Sequence, residues 1–293
     1  MFYDIKLALD YAFETPAAGA RQILRVMPLN IPSRQRLISG KLGASPLAAT
    51  QIDRVDFFGN AVTEMAFAEA CRNIVISLDA RVELAKQALP VASGATLQEL
   101  LVAVAACRDL GPRSPMHFLT PSRYTPDDPG IRNWASDHGL GHKAVSAIVS
   151  DLGQAVNGEM RFDAEATTVD TPAAEAFAAR HGVCQDFTHI MIIALRSLGI
   201  PSGYVSGYLR TLPPPGQPRL EGADAMHAWV SAWCGPDAGW VEYDPTNATF
   251  AGADHIVVGY GRDYADVAPI RGAIRTAGGH TSNQSVDVIP AGA

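Results

Sequence analysis

The sequence predicts an α+β fold: an amino-terminal antiparallel β domain, then a second domain that is helical first and β afterwards. Three observations carry this. Short segments alternating apolar with polar, broken by Gly, Pro and Asn, fill the chain through about residue 88. One strong apolar helical repeat lies between residues 184 and 198, and strand-like segments follow it. A chain of 293 residues, 47% of them hydrophobic, can bury one or two full cores. The expected boundaries are 1–90 for the β domain and 91–293 for the second, which opens with a weakly patterned connector to about residue 128.

Taken in order, "YDIKLALDYAF", "ATQIDRVDFFGNAVTEMAF" and "NIVISLDARVEL" read as antiparallel strands, with "FGN" as a hairpin turn. "GPRSP" and "TPSRYTPDDPG" punctuate the connector as loops. "GIRNWASDHG" and "KAVSAIVSDLGQAV" carry helical spacing. In the central helix Phe187, Ile190, Met191, Ala194, Leu195 and Leu198 recur at intervals of three and four, which predicts burial, and Gly199 and Pro201 end the run. "GYVSGYLR", "HAWVSAWC" and "GWVEYDPT" are the strands after it, and the Pro-rich "TLPPPGQPRLEGAD" is a long exposed loop between the first two.

The formal net charge of −7 comes from dispersed Asp and Glu with no run of Lys or Arg, so the electrostatic footprint of a nucleic-acid binder is missing. The first residues show no basic region followed by an apolar stretch and a cleavage site, and no segment is apolar for long enough to span a bilayer. A cytoplasmic protein with no nucleic-acid and no membrane partner is expected. Cys71, Cys107, Cys184 and Cys234 form no CxxC pair, which fits reduced thiols better than a disulfide scaffold or a tetrathiolate zinc site.

Cys184 falls at the start of the central helix, just after Gly182, where free backbone N–H groups and the helix dipole favour a thiolate. A small apolar residue at a helix end would occupy the same place, so its partners must decide. His227 opens one strand and Asp244 ends the next, with "CGPDAG" turning between them. Pairing Cys234 with Gly239 sets Trp229 opposite Asp244 and puts His227 diagonal to Asp244 on the same face. A slip of one residue would separate them. Cysteine, imidazole and carboxylate in this order suit nucleophilic acyl chemistry, because the imidazole takes the thiol proton and the carboxylate fixes the imidazole tautomer.

The segments "RHGVCQDFTHIMIIALRSLGIPSGYVSGYL", "DAMHAWVSAW", "GWVEYDPTNA" and "HIVVGYGRDYADVAPIRG" resemble the bacterial transglutaminase-like family, within the papain-like cysteine enzymes. The resemblance covers most of residues 120 to 290, and the amino-terminal strands resemble, more weakly, the β domain preceding the catalytic domain in these proteins. It implies a central helix packed on an antiparallel sheet, with Cys184 as nucleophile, His227 as general base and Asp244 as orienting carboxylate. It implies a thiol protease, amidase or crosslinking enzyme, needing no metal and no cofactor, with a peptide or protein substrate carrying an amide or isopeptide.

The expected reaction is hydrolysis through a thioester acyl-enzyme, with transfer of the acyl group to an amine as the alternative. Acyl transfer from coenzyme A, as in arylamine N-acetyltransferases, uses the same residue order but a cysteine nearer the start of a shorter chain. A non-catalytic scaffold on the same fold is a further alternative. Gln185, Asp186 and His189 belong to the matched motif, and His189 is as well suited to a buried hydrogen bond as to catalysis. Zinc on His181, Cys184 and His189 is disfavoured because a helix puts positions 184 and 189 on different faces. Trp229, Trp233 and Trp240 are expected in core or pocket wall, Tyr208 and Asn133 are possible pocket residues, and Arg262, Asp263 and Asp266 form a structural ion network. The backbone N–H of Cys184 is one oxyanion donor; the second is unidentified.

Overall fold

The computed structural model describes residues 1–86, 94–139, 143–211, 222 and 224–292. The chain opens with β1 (Phe2–Leu24), β2 (Gln35–Ser45), β3 (Thr50–Val55), β4 (Ala61–Ala66) and β5 (Cys71–Leu84). In β1, Tyr3, Ile5, Leu7 and Leu9 are buried while Asp4, Lys6, Ala8 and Asp10 point the other way, the period-two pattern of a half-buried strand. Phe13 and Ala17 continue the same odd-numbered set, and a register shift between Ala18 and Arg21 accompanies its move to Ala20, Gln22 and Leu24. "FGN" does close the β3–β4 hairpin, where Asp56 Oδ1 accepts the N–H groups of Phe58 and Asn60 at 3.0 Å each.

The second part contains α1 (Leu97–Ala106), α2 (Pro129–Gly139), α3 (Val145–Glu159), β6 (Arg161–Phe162), α4 (Ala173–Ala179), β7 (His181–Gly182) and α5 (Cys184–Ser197). It continues with β8 (Ser202–Leu209), β9 (Ala225–Trp233), β10 (Trp240–Asp244), β11 (Thr249–Phe250), β12 (His255–Gly261) and α6 (Tyr264–Val267). Helix α5 is buried on every side from Gln185 to Leu195, with α2, α3 and α4 on one flank and β8 and β9 on the other. Each large apolar side chain buried this way stabilises the fold by about 1.5–3 kcal/mol. The helix ends in a left-handed Gly199 at φ 79°, whose N–H bonds Arg196 O while Ile200 N bonds Leu195 O, so the last carbonyls are satisfied.

Strands β8 to β12 make an antiparallel sheet in the order β11-β10-β9-β8-β12. Its register matches the expectation: Trp240 lies opposite Trp233, Val241 opposite Ala232 and Tyr243 opposite Val230, with Cys234 N bonding Gly239 O at 2.8 Å. The Pro-rich loop read between β8 and β9 lies almost wholly outside the described residues.

Several elements depart from the sequence reading. The stretch assigned to the connector contains α1, started by a capping box in which Thr96 and Glu99 satisfy each other's backbone N–H groups. The last strands, β13 (Ile270–Arg275) and β14 (His280–Ala291), do not stay with residues 91–293 but pair antiparallel with β1. β1 is long enough to need two partners along each edge: β5 then β4 on one, β14 then β13 on the other. Residues 270–291 thus complete the first sheet, and the first domain is assembled from both ends of the chain.

The two parts interlock. Tyr208, Ile256 and Val258 bury in the same cluster as Ile5, Leu7 and Ile76 of the first sheet. The outer edge of β12 is met by side-chain amides instead of another strand. Gln35 bonds both the N–H and the carbonyl of Val257 at 2.8 Å, and Asn60 does the same for Tyr260. An otherwise open strand edge is thereby closed.

Candidate active site

Gly182, Val183 and Cys184 make the sharp entry to α5. A Cβ on Gly182 would stand 2.5 Å from Asp186 Oδ2, so only glycine lets that carboxylate fold back. Asp186 then accepts the Val183 N–H at 2.8 Å and the Thr167 hydroxyl at 2.6 Å, closing the first turn of the helix. Burial raises its pKa against these bonds. Cys184 is thereby presented half-buried at the first helical position, where backbone N–H groups have no partner within the helix.

His227 and Asp244 come from neighbouring strands and share a face, as the register requires. His227 Nε2 lies 2.8 Å from Asp244 Oδ2. Cys184 stands against the same ring, near enough to stabilise its charged form by charge and by hydrogen bonding. With Nε2 engaged by Asp244, Nδ1 is the ring nitrogen left free for the sulfur. Burial opposes charge on His227, but the Cys184 sulfur and Asp244 outweigh it and push the imidazole up to about 10. For Asp244, wholly buried, desolvation pulls upward and hydrogen bonds from His227, His255 and Asn247 prevail, holding the carboxyl well below its ordinary range.

His255 escaped the sequence reading. Its Nε2 lies 3.1 Å from Asp244 Oδ2, although β12 is three strands away from β10 in the sheet order. In a flat sheet three steps would span about 14 Å. Tyr260 of β12 likewise reaches Glu242 of β10 at 2.9 Å. The sheet is therefore curled, and its concave side holds a polar row. Trp229 donates to Glu242 at 2.6 Å, and Arg34, from the β1–β2 turn, grips both oxygens of Glu242. Arg113 stacks over Tyr260 at 3.9 Å and over Trp240 at 4.5 Å.

The remaining residues sort by position. His189 is buried, stacks on Tyr124 at 5.7 Å and accepts the Tyr264 N–H at 3.3 Å; burial lowers its pKa to about 4, so it is a neutral core histidine. The Gln185 amide is tied to Val169 O at 3.0 Å. Tyr208 is fully buried and donates to Val26 O at 2.6 Å; Asn133 is exposed on α2. Trp229 is core, Trp233 packs at the margin of the α5 core, and Trp240 braces Arg113, donating to its carbonyl at 3.0 Å. Arg262 pairs with Asp266 at 2.8 Å, and buried Asp263 accepts the Tyr124 and Ala265 N–H groups at 2.7 and 2.8 Å, a structural network. Among the described residues, no three His, Cys, Asp or Glu side chains are grouped to hold a metal, and no helix is long and apolar enough to cross a membrane.

Comparison with known proteins agrees with this architecture. Residues 132–245 match the transglutaminase-like superfamily and residues 3–83 the bacterial transglutaminase-like N-terminal region. An uncharacterised protein of Mycobacterium tuberculosis is 35% identical over 264 residues, covering 88% of this chain and 83% of that one. Another, of Mycobacterium leprae, is 32% identical over 266 residues, covering 89% of each. A protein of Cytophaga hutchinsonii, solved as a candidate cysteine protease, superposes with a TM-score of 0.77 at 22% identity, covering 98% of this chain and 90% of that one, and so shares the fold. With both of its regions matched in order and close relatives along nearly its whole length, the chain belongs to the transglutaminase-like superfamily, in its bacterial form with the amino-terminal β region.

Proposed function

We propose that the protein hydrolyses an amide, peptide or isopeptide bond through Cys184, His227 and Asp244. The observation that carries this reading is one chain of contacts. A half-buried cysteine at a helix start meets a histidine ring whose far nitrogen is hydrogen-bonded, at 2.8 Å, to a wholly buried carboxylate. The likeness to a fold solved as a candidate cysteine protease supports it.

In this mechanism the Cys184 thiolate adds to the substrate carbonyl carbon, and the Cys184 N–H at the helix start faces the developing oxyanion. The C–N bond breaks as His227 gives its Nδ1 proton to the leaving amine, which leaves a thioester. Neutral His227 then takes a proton from water, whose oxygen displaces the sulfur, and a carboxylic acid leaves with the thiolate–imidazolium pair restored. Asp244 keeps the proton on Nε2 throughout, so that Nδ1 alone exchanges it. The polypeptide substrate is one of stated chemistry only: an accessible amide or isopeptide carbonyl.

The test is incubation of the protein with a library of glutamine- and amide-containing peptides, with and without a primary amine, read by mass spectrometry. Free acid and amine products that vanish in Cys184→Ala are expected. Incorporation of the added amine in preference to water would make the enzyme an acyltransferase, and no product of either kind with reactive Cys184 intact would remove the enzymatic reading.

A further inference from the structure

Asp244 is unusual in how completely it is claimed. Its Oδ1 accepts the N–H groups of Thr246 at 2.9 Å and Asn247 at 3.2 Å. Its Oδ2 accepts Asn247 Nδ2 at 2.7 Å, His227 Nε2 at 2.8 Å and His255 Nε2 at 3.1 Å. His255 is buried and held at both ends. Its Nδ1 accepts the Gly252 N–H at 3.2 Å, so the proton of the neutral ring resides on Nε2, facing the carboxylate. Trp229 clamps the ring edge-on at 5.1 Å, and the same Trp229 lies 6.1 Å from the His227 ring.

We infer that His255 is a positioning residue: its Nε2–H pins Asp244 Oδ2 in line with His227 Nε2 and so keeps His227 Nδ1 toward Cys184. The inference rests on the thiol mechanism proposed above and deepens it. His255 contacts neither sulfur nor substrate in this role. Each hydrogen bond donated to a carboxylate also spreads its charge and lowers its affinity for a proton. With His255 in place, the proton between His227 and Asp244 therefore stays on the imidazole. The charged and titratable groups facing His255 are Asp244 on β10 and His227 on β9, whose ring is 6.4 Å away; Glu242 stands beyond Trp229, and the adjacent Asp254 is paired with Arg210 at 3.0 Å. Because the partners of His255 are reached only through the curl of the sheet, spacing along the chain does not reveal them.

The experiment reads the thiolate–imidazolium pair directly, without a substrate. Iodoacetamide labelling of Cys184 is followed by mass spectrometry from pH 5 to pH 9 in wild type, His255→Leu and His255→Gln, with thermal melts alongside and buried Cys234 as internal control. Wild-type Cys184 is expected to label fast down to about pH 6, where a free thiol is almost entirely protonated. If it does not, the thiol mechanism itself falls, whatever the variants do. Given fast labelling in wild type, His255→Leu should move the labelling profile up by about one pH unit, a loss that approaches tenfold only at the acid end of the range, below both midpoints. His255→Gln, which returns an N–H near the Nε2 position, should stay within about threefold of wild type, a tolerance of under half a pKa unit. A wild-type profile in His255→Leu, or equal slowing in both variants, would overturn the positioning role. If His255→Leu does not fold, imidazole NMR of the wild type decides. A proton on His255 Nε2 across the pH range in which Cys184 labels fast supports the inference, and an Nδ1–H tautomer with a bare Nε2 overturns it.

Discussion

At the scale of single residues, the candidate site is a set of opposing pKa pressures. His227 and His189 are both buried, yet one is driven to hold its proton up to about 10 and the other to lose it above about 4, because the Cys184 sulfur and a hydrogen-bonded Asp244 outweigh burial at the first, whereas burial outweighs the charge of Asp263 at the second. These shifts set the pH dependence of stability. The folded value of His227 is raised, so its contribution is complete below 6.5, its ordinary value, and drains away as pH climbs toward about 10. That of His189 is lowered, so its contribution is complete above 6.5 and is lost as pH falls toward about 4. Asp244, depressed from 3.8, adds a further loss below that pH. Urea midpoints should therefore peak near pH 6.5, and Cys184→Ala should flatten the alkaline side alone. A midpoint still rising at pH 9 would contradict the His227 assignment. Asp244→Asn should still fold, at a lower melting temperature because the buried His227 charge loses its partner, but should cut turnover by about 10⁴-fold, because an amide no longer holds the productive imidazole tautomer; near-normal turnover in the folded variant would remove Asp244 from the mechanism.

At the scale of elements, helix α5 and the β9–β10 hairpin place the chemistry. The helix entry depends on Gly182, whose missing side chain admits the Asp186 carboxylate. Gly182→Ala should cost about 1–3 kcal/mol by overpacking and slow Cys184 labelling, since the turn that presents the sulfur must shift. Denaturant melts and alkylation rates check the two effects separately, and an unchanged labelling rate would show that the turn tolerates the methyl group. The hairpin was legible from its turn alone: pairing Cys234 with Gly239 determined that His227 and Asp244 share a face, and the 2.8 Å contact follows from it. Helix α1 was overlooked despite its Thr96 and Glu99 capping signal, because the helix that follows carries a weak apolar stripe in which only Leu100 and Val104 are buried.

At the scale of the molecule, the β domain reaches into the concave side of the second sheet. Arg34 is bonded to both oxygens of Glu242, on the same face of β10 as Asp244 and two residues before it. Arg34→Met should lower stability by about 3 kcal/mol, because it leaves a buried carboxylate without its cation. A change below about 1 kcal/mol would show that the pair contributes little to joining the two parts. The measurement is urea unfolding followed by tryptophan fluorescence, which reports on Trp229 beside Glu242.

The sequence by itself determined the α+β order, the buried helix from its three-and-four spacing, and the juxtaposition of His227 with Asp244 from one turn. Each of these is decided by side-chain period or by neighbours a few residues apart, and such forces act before the chain has a global shape. Only the tertiary structure decided that residues 270–291 return to β1, where Val286 and Val288 are the buried residues of a strand otherwise exposed or half-exposed. It alone also decided that His255 joins Asp244 and that Arg34 joins Glu242. These contacts depend on the curl of the β8–β12 sheet and on the packing of one domain into it. Curl is a property of all the strands and their cover together, so no local pattern in the chain encodes it.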